Sequence, residues 1–218
     1  MSKKVFSLIC AVSCSLIWGS AFIAQDMGMD YNGPFTFTFG RLFLGFLTLI
    51  PFLLIYEYKK IKPLIFKTRN IYNFLLIGFL LSMGNALQQF ALLYTDVANT
   101  AVFTIFYVVL VPFVSYYFFS KFIHNSVWLA IIICLFGGIL LTEFDNIQVR
   151  IGDSIAVVNA LFWAFHIVFI SRFLKVFNFP ITIACVQCLI ASLFALLPAL
   201  VFESVELSNM ILDGKEMI

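Results

Sequence analysis

The chain has 218 residues, of which 63% are hydrophobic and only 11% are charged, and its formal net charge is +2. Soluble globular domains carry about 25% charged residues, so this composition excludes a soluble domain and predicts an integral membrane protein. The five cysteines all lie in apolar runs, which predicts free thiols and no disulfide framework.

Seven apolar runs have the composition of membrane spans, and most can cross a hydrocarbon core of about 30 Å at about 1.5 Å per residue. In chain order they are Val5–Ala24, Phe35–Tyr56, Ile71–Tyr94, Val97–Ser120, Ser126–Thr142, Ser154–Ser171 and Val176–Phe202. The sequence therefore predicts an all-α polytopic membrane protein with about seven transmembrane helices. A cleaved signal peptide is the alternative for the first run, but Trp18 and Phe22 crowd the candidate cleavage site.

The third and fourth spans are predicted to form an antiparallel hairpin, because only Thr95 and Asp96 separate them. Pro112 lies well inside the fourth span, where neighbouring helices or cavity water can satisfy the carbonyl that it frees. The hairpin contains several polar side chains within its apolar runs, namely Asn85, Gln88, Gln89, Asn99, Thr104 and Tyr107. These residues make the hairpin the predicted centre of the molecule.

Basic residues set the expected orientation, because loops on the cytoplasmic side of a membrane are enriched in Lys and Arg. With the N-terminus in the cytoplasm, ten of the thirteen basic residues fall on that side, including the run at 59–69. We therefore expect a multi-pass protein of a bacterial-type inner membrane, with a cytoplasmic N-terminus and an external, acidic C-terminal tail. The basic run also suits contact with anionic lipid headgroups.

An internal repeat links the two ends of the chain. The segment VSCSLIW at Val12–Trp18 resembles VVNALFW at Val157–Trp163, and Arg41 corresponds to Gln187 at nearly the same offset. The repeat predicts a complete five-helix unit over residues 1–142, an external connecting segment over 143–153, and the first two helices of a second unit over 154–218. Because five is odd, the second unit enters the membrane inverted, a design typical of secondary transporters.

Polar residues within the spans are the candidates for lining a solute cavity near the repeat interface. Arg41 lies about 10 Å below its helix end, so it is expected either to meet an anionic group or helix-end carbonyls, or to reach the surface along its own side chain. The full candidate set is Trp18, Arg41, Asn85, Gln88, Asn99, Tyr107, His166 and Gln187.

Each of these residues also has a structural alternative. Asn85 and Gln88 share a helix face and are equally suited to interhelical hydrogen bonds. His166 either takes part in proton coupling or is a neutral side chain bonded to a neighbouring helix. Trp18 either lines the cavity or lies in an interfacial aromatic belt.

The sequence contains no catalytic constellation, metal-ligand cluster or phosphate-binding glycine loop at useful spacing. We therefore expect neither an enzyme nor a bound cofactor or metal. The expected partners are a small-molecule substrate and the lipid bilayer, and no nucleic acid.

Short motifs along nearly the whole chain resemble the EamA type of the drug/metabolite transporter superfamily. They are Ile17–Phe22, Gly33–Phe37, Gly40–Leu42, Gln89–Ala101, Tyr107–Pro112, Gly137–Leu141, Gly152–Asp153 and Ala160–Ile167. The resemblance implies secondary transport of small organic solutes such as metabolites or amino acids. It departs from the family at Ser120, where a glutamate is frequent.

The family resemblance also implies ten spans in a complete form, three more than the seven predicted here. We therefore expect a fragment, a chain completed by helices from a second copy or a partner, or an inactive chain. A membrane-embedded accessory or receptor-like protein without transport is the alternative function.

Overall fold

The computed structural model describes residues 2–29, 32–65, 68–120, 122–141 and 150–203. All regular structure within these ranges is α-helical, which confirms the predicted all-α class. In chain order the helices are α1 (Lys3–Met29), α2 (Pro34–Tyr56), α3 (Tyr58–Ile65), α4 (Thr68–Tyr94), α5 (Val97–Ile105), α6 (Tyr107–Phe119), α7 (Asn125–Leu141), α8 (Ile151–Phe177) and α9 (Pro180–Phe202).

The predicted spans correspond to these helices, with α5 and α6 together forming the fourth. Six stretches of the described chain are long and apolar enough to cross a membrane, and α7 supplies a shorter apolar helix. The protein is therefore a multi-pass membrane protein. The predicted acidic tail and most of the predicted connecting segment at 143–153 lie outside the described residues, while α8 begins at Ile151.

The boundary between the sixth and seventh spans was predicted wrongly. The sixth was expected to end at Ser171, but α8 continues to Phe177, because Arg172 packs 4.3 Å from the centre of the Phe119 ring instead of ending the helix. Asn178 then adopts a left-handed conformation with φ of 53°, which closes the helix. Pro180 takes the first position of α9, where its missing N–H costs nothing.

Two further differences concern segments that the sequence treated as uniform. The basic loop after α2 contains the short helix α3, whose Ile61 is fully buried against Phe74 and Phe173. The fourth span is interrupted at Phe106, one residue before Tyr107, so that α5 and α6 are separate helices.

Two closely packed helix pairs form the core, since α2 packs most extensively against α9 and α4 against α8. Gly152 permits the second pairing, because a Cβ at this position would lie 2.7 Å from the Ala91 carbonyl oxygen. Gly84 has the same role further along α4, where a Cβ would lie 3.2 Å from the Trp163 ring. Small residues at these crossings let the backbones approach, as is usual for helices in lipid.

Helix α1 differs from its repeat counterpart α8 in its surroundings. The outward side chains of α1 are largely exposed, with Leu16 71% and Ile17 70% accessible, whereas Ala160 and Ala164 of α8 are fully buried. The apolar surface of α1 suits lipid contact, as the composition of the first span predicts.

Candidate functional site

Three aromatic rings from three helices meet near the middle of the bundle. The Trp18 and Tyr107 rings stack with their centroids 6.2 Å apart, and the Trp163 ring meets Trp18 edge-on at 5.2 Å. Leu42 and Leu81 pack against this cluster. The structure thus brings the two repeat-related tryptophans together, with Tyr107 beside them at the break between α5 and α6.

A cavity of about 340 Å³ opens beside this aromatic cluster, between α1 and α5–α6. Its walls include the Trp18 and Tyr107 rings and the hydroxyl-bearing side chains of Ser15 and Thr104. Small-molecule sites have volumes of about 300 to 1,000 Å³, with mostly apolar walls and a few polar groups, so the cavity suits a small organic molecule.

Arg41 of α2 is held by α4. Its guanidinium donates a hydrogen bond to the side-chain oxygen of Asn85, and the Asn85 amide donates in turn to the Leu81 carbonyl at 2.7 Å. The guanidinium also lies 5.7 Å from the centre of the Phe37 ring. In the described part of the chain no carboxylate forms an ion pair with Arg41. The site therefore contains a cation within a membrane span that has only a neutral partner.

His166 and Gln187 form the corresponding contact between α8 and α9. The His166 Nε2 and Gln187 Oε1 atoms lie 3.0 Å apart, and the His166 ring meets Trp163 edge-on at 5.7 Å. This contact is the interhelical hydrogen bond that the sequence left as the structural alternative for His166. Gln187 is the predicted counterpart of Arg41, and each of the two predicted units directs one polar side chain from its second helix onto a neighbouring helix.

Gln88 pairs with a residue that the sequence analysis missed. Its amide donates to the Gln25 side-chain oxygen at 3.2 Å, and Gln25 donates to the Ala21 carbonyl at 3.1 Å. Gln25 lies two turns after Trp18 on the same face of α1, and that spacing was a usable signal. Asn99, in contrast, is only partly buried, and its side chain forms no hydrogen bond with another described residue, so the structure does not bring it into the group.

Several buried polar atoms around the site lack a hydrogen-bond partner among the described residues. They belong to Thr38, Gln88, Gln89, Thr100, Asn159 and Trp163. Asn159 uses only its amide nitrogen, which donates to Thr104 at 3.2 Å. Buried polar atoms are normally satisfied by protein or ordered water, so these atoms have hydrogen-bonding capacity that the other described residues do not use.

Metal chemistry finds no support in the described residues, which contain no group of three His, Cys, Asp or Glu side chains able to hold an ion. Cys185 and Cys188 are free thiols on α9. The site therefore offers hydrogen bonds, one positive charge and aromatic faces.

Comparisons with known proteins give the family. The model of the EamA-like transporter family matches residues 5–143. An uncharacterized transporter from Archaeoglobus fulgidus is 26% identical over 176 residues, which cover 81% of this chain and 52% of that protein. The chain thus spans about half the length of this relative, and no solved structure matches it. The chain belongs to the EamA-like transporter family.

Proposed function

We propose that this chain is a secondary transporter that carries small organic solutes across the cytoplasmic membrane. The observation that carries the proposal is the position of Arg41, a cation that forms no ion pair with a carboxylate of the described residues. Its partner Asn85 bonds to Leu81, which packs against the aromatic cluster. Family membership supports the same function.

Polar side chains inside a membrane cost free energy, and the polar side chains of this site are explained if they line a path for a solute. Charged and amide groups in transmembrane helices usually face the interior of the bundle or a water-filled cavity and mark substrate pathways. Here polar groups on α1, α2, α4, α8 and α9 converge on the same interior, and several retain unused hydrogen-bonding atoms. A solute with polar groups would satisfy atoms that find no partner among the described residues.

Arg41 gives the proposed substrate its chemical class. A guanidinium binds carboxylates through paired N–H donors, and an anion at Arg41 would neutralise a charge that Asn85 only solvates. The Trp18, Trp163 and Tyr107 rings would contact the apolar part of the same molecule. We therefore propose small organic carboxylates, including amino acids, as the solutes.

The path can be tested without a known solute, through the thiol chemistry of position 187. In a chain with Cys10, Cys14, Cys134, Cys185 and Cys188 replaced by alanine, Gln187→Cys introduces a single thiol beside His166. An alternating-access path predicts that a membrane-impermeant methanethiosulfonate reagent modifies this thiol from either side of sealed vesicles. The matched control, Leu197→Cys, is exposed on the outer surface of α9 and is expected to stay unmodified in lipid.

If the reagent does not modify the thiol at position 187 from either side of the vesicles, the proposed path is wrong. Modification from one side only would favour the accessory or receptor-like alternative, in which a solute binds without crossing.

A further inference from the structure

Glu57 fastens the end of α2 to the start of α9. The residue directly follows α2, and its buried carboxylate accepts hydrogen bonds from the backbone N–H groups of Ile181 at 3.2 Å and Thr182 at 2.7 Å. The Thr182 hydroxyl donates a third at 2.6 Å. Free N–H groups at a helix start carry partial positive charge, so a carboxylate is a favourable partner.

Glu203 forms the same contact at the other end of the pair. It directly follows α9, and its buried carboxylate accepts from the backbone N–H groups of Phe35 at 2.8 Å and Thr36 at 2.7 Å, in the first turn of α2. Gly33 makes room for it, because a Cβ at this position would lie 2.3 Å from the carboxyl carbon. Each helix therefore ends in a glutamate that caps the start of the other.

The two contacts are related by the internal repeat. Pro34 opens α2 and Pro180 opens α9, and both helices have 23 residues before their terminal glutamate. The offset that superposes these features also superposes Arg41 on Gln187, each five residues after the capped threonine of its helix. The reciprocal capping is thus a feature of the pair that carries the two corresponding polar side chains.

We propose that Glu57 and Glu203 are positioning residues that fix the register of α2 against α9, and thereby hold Arg41 and Gln187 at a fixed offset from each other along the helix pair. A slide of one helix turn, about 5.4 Å, breaks both contacts at once. The surfaces between them are largely apolar, so van der Waals packing rather than hydrogen bonding acts along most of the pair. The two carboxylates therefore supply the directional contacts that define it.

Register can be measured independently of transport through a native cysteine. A Cβ at Gly45 of α2 would lie 3.8 Å from the Cys188 sulfur of α9, which is close to disulfide geometry. In a chain whose other cysteines are replaced by alanine, Gly45→Cys is expected to form a disulfide with Cys188 on mild oxidation in membranes. A second reporter pairs Gly45→Cys with Ser192→Cys, one turn further along α9, after Cys188 is also replaced.

The variants to compare are Glu57→Gln, Glu203→Gln and both together, since glutamine presents an NH₂ group where a carboxylate oxygen accepted a backbone N–H. We expect the double variant to lower the rate of the 45–188 cross-link by about tenfold, the scale of a lost charged hydrogen bond. The 45–192 cross-link is expected to rise at the same time. Asp26→Asn is the matched control, because it removes an exposed carboxylate near one end of the bundle without touching the capping contacts.

The outcomes separate positioning from a general contribution to folding. A slower 45–188 cross-link together with a faster 45–192 cross-link supports the inference. Each single variant is expected to show the same two changes, with smaller size. Unchanged cross-linking overturns the inference, and so does a parallel loss of both cross-links, which would indicate unfolding. The part of the inference that concerns Arg41 and Gln187 as cavity residues rests on the proposed function. The register result stands whether or not the chain transports a solute.

Discussion

At the residue scale, the central interaction is the hydrogen bond from Arg41 to Asn85. A neutral amide orients the guanidinium but does not neutralise it, so an anion gains more from Arg41 than it would from a salt-bridged arginine. The Asn85 amide nitrogen donates to the Leu81 carbonyl, and this bond turns the Asn85 side-chain oxygen toward Arg41.

Arg41→Gln is therefore expected to abolish a preference for anionic solutes. Quenching of the site tryptophans by paired probes, benzoate and its neutral amide benzamide, measures that preference. We expect the wild type to favour benzoate by at least about tenfold, the scale of a charged hydrogen bond, and the variant to bind both probes equally. Arg172→Gln, which removes a guanidinium outside the cavity, is the control. A variant that still favours benzoate would contradict the role given to Arg41.

Asp153 gives a second prediction at this scale. Its buried carboxylate accepts a hydrogen bond from the Thr95 hydroxyl at 2.6 Å and from the Arg150 backbone N–H at 2.9 Å. Asp153→Asn is expected to lower the free energy of unfolding by about 1.5 to 3 kcal/mol. The variant replaces one carboxylate oxygen, which accepts a hydrogen bond, with an NH₂ group that faces the Thr95 or Arg150 donor. Chemical unfolding in detergent measures the change, and the exposed Asp26→Asn should show none. Equal stability of both variants would contradict the account.

The sequence anticipated the types of these residues but only some of their contacts. Trp18, Arg41 and His166 were recognisable because aromatic, charged and titratable groups stand out in apolar runs. Their partners were less predictable, since helix rotation decides whether Arg41 meets Asn85 or the lipid surface. Asn99 and Tyr107 were both expected on one continuous fourth span, but the interruption of the helix at Phe106 lies between the two.

At the element scale, the close packing of α4 and α8 depends on glycines. Gly152→Ala places a methyl group 2.7 Å from the Ala91 carbonyl oxygen, so the helices must separate. We expect the free energy of unfolding to fall by about 1 to 3 kcal/mol, the usual cost of overpacking. The control is Gly19→Ala, where the new methyl group meets no atom within 4 Å. It should be neutral or slightly stabilising, because alanine favours helix.

The comparison of these two glycine variants is decisive for the helix pairing. If Gly152→Ala were as stable as Gly19→Ala, the backbone approach of α8 to α4 would be wrong.

The lengths of the spans were predictable from apolar runs, whereas several ends were not. The sequence ended the sixth span at its first positive charge, but Arg172 is accommodated by an aromatic ring and the helix continues. The α9 start at Pro180 follows from the ordinary preference of proline for the first position of a helix, as does the α2 start at Pro34.

At the scale of the whole molecule, the sequence predicted which helices correspond but not how differently their surroundings are packed. Corresponding helices α1 and α8 have similar sequences around Trp18 and Trp163, yet α8 is enclosed by α4, α5 and α6 while α1 contacts its neighbours sparsely. Sequence similarity sets which helices correspond, and the order of the helices in the bundle decides what surrounds each of them.

Orientation is the prediction that belongs to this scale. With a cytoplasmic N-terminus, Ser2→Cys in a cysteine-free chain should react with an impermeant thiol reagent only after cells are opened, while Asp96→Cys should react in intact cells. The expectation follows from the basic residues beside α1 and after α2. The reverse pattern would show that the N-terminus is external.

Solute flux tests the central claim most directly. The full chain, reconstituted into sealed lipid vesicles, is expected to accumulate at least one radiolabelled small carboxylate or amino acid from a broad panel above the level in protein-free vesicles. The Arg41→Gln variant is expected to lose that accumulation while remaining folded. Flux that is the same in the wild type, the variant and empty vesicles would contradict the transporter account of this chain.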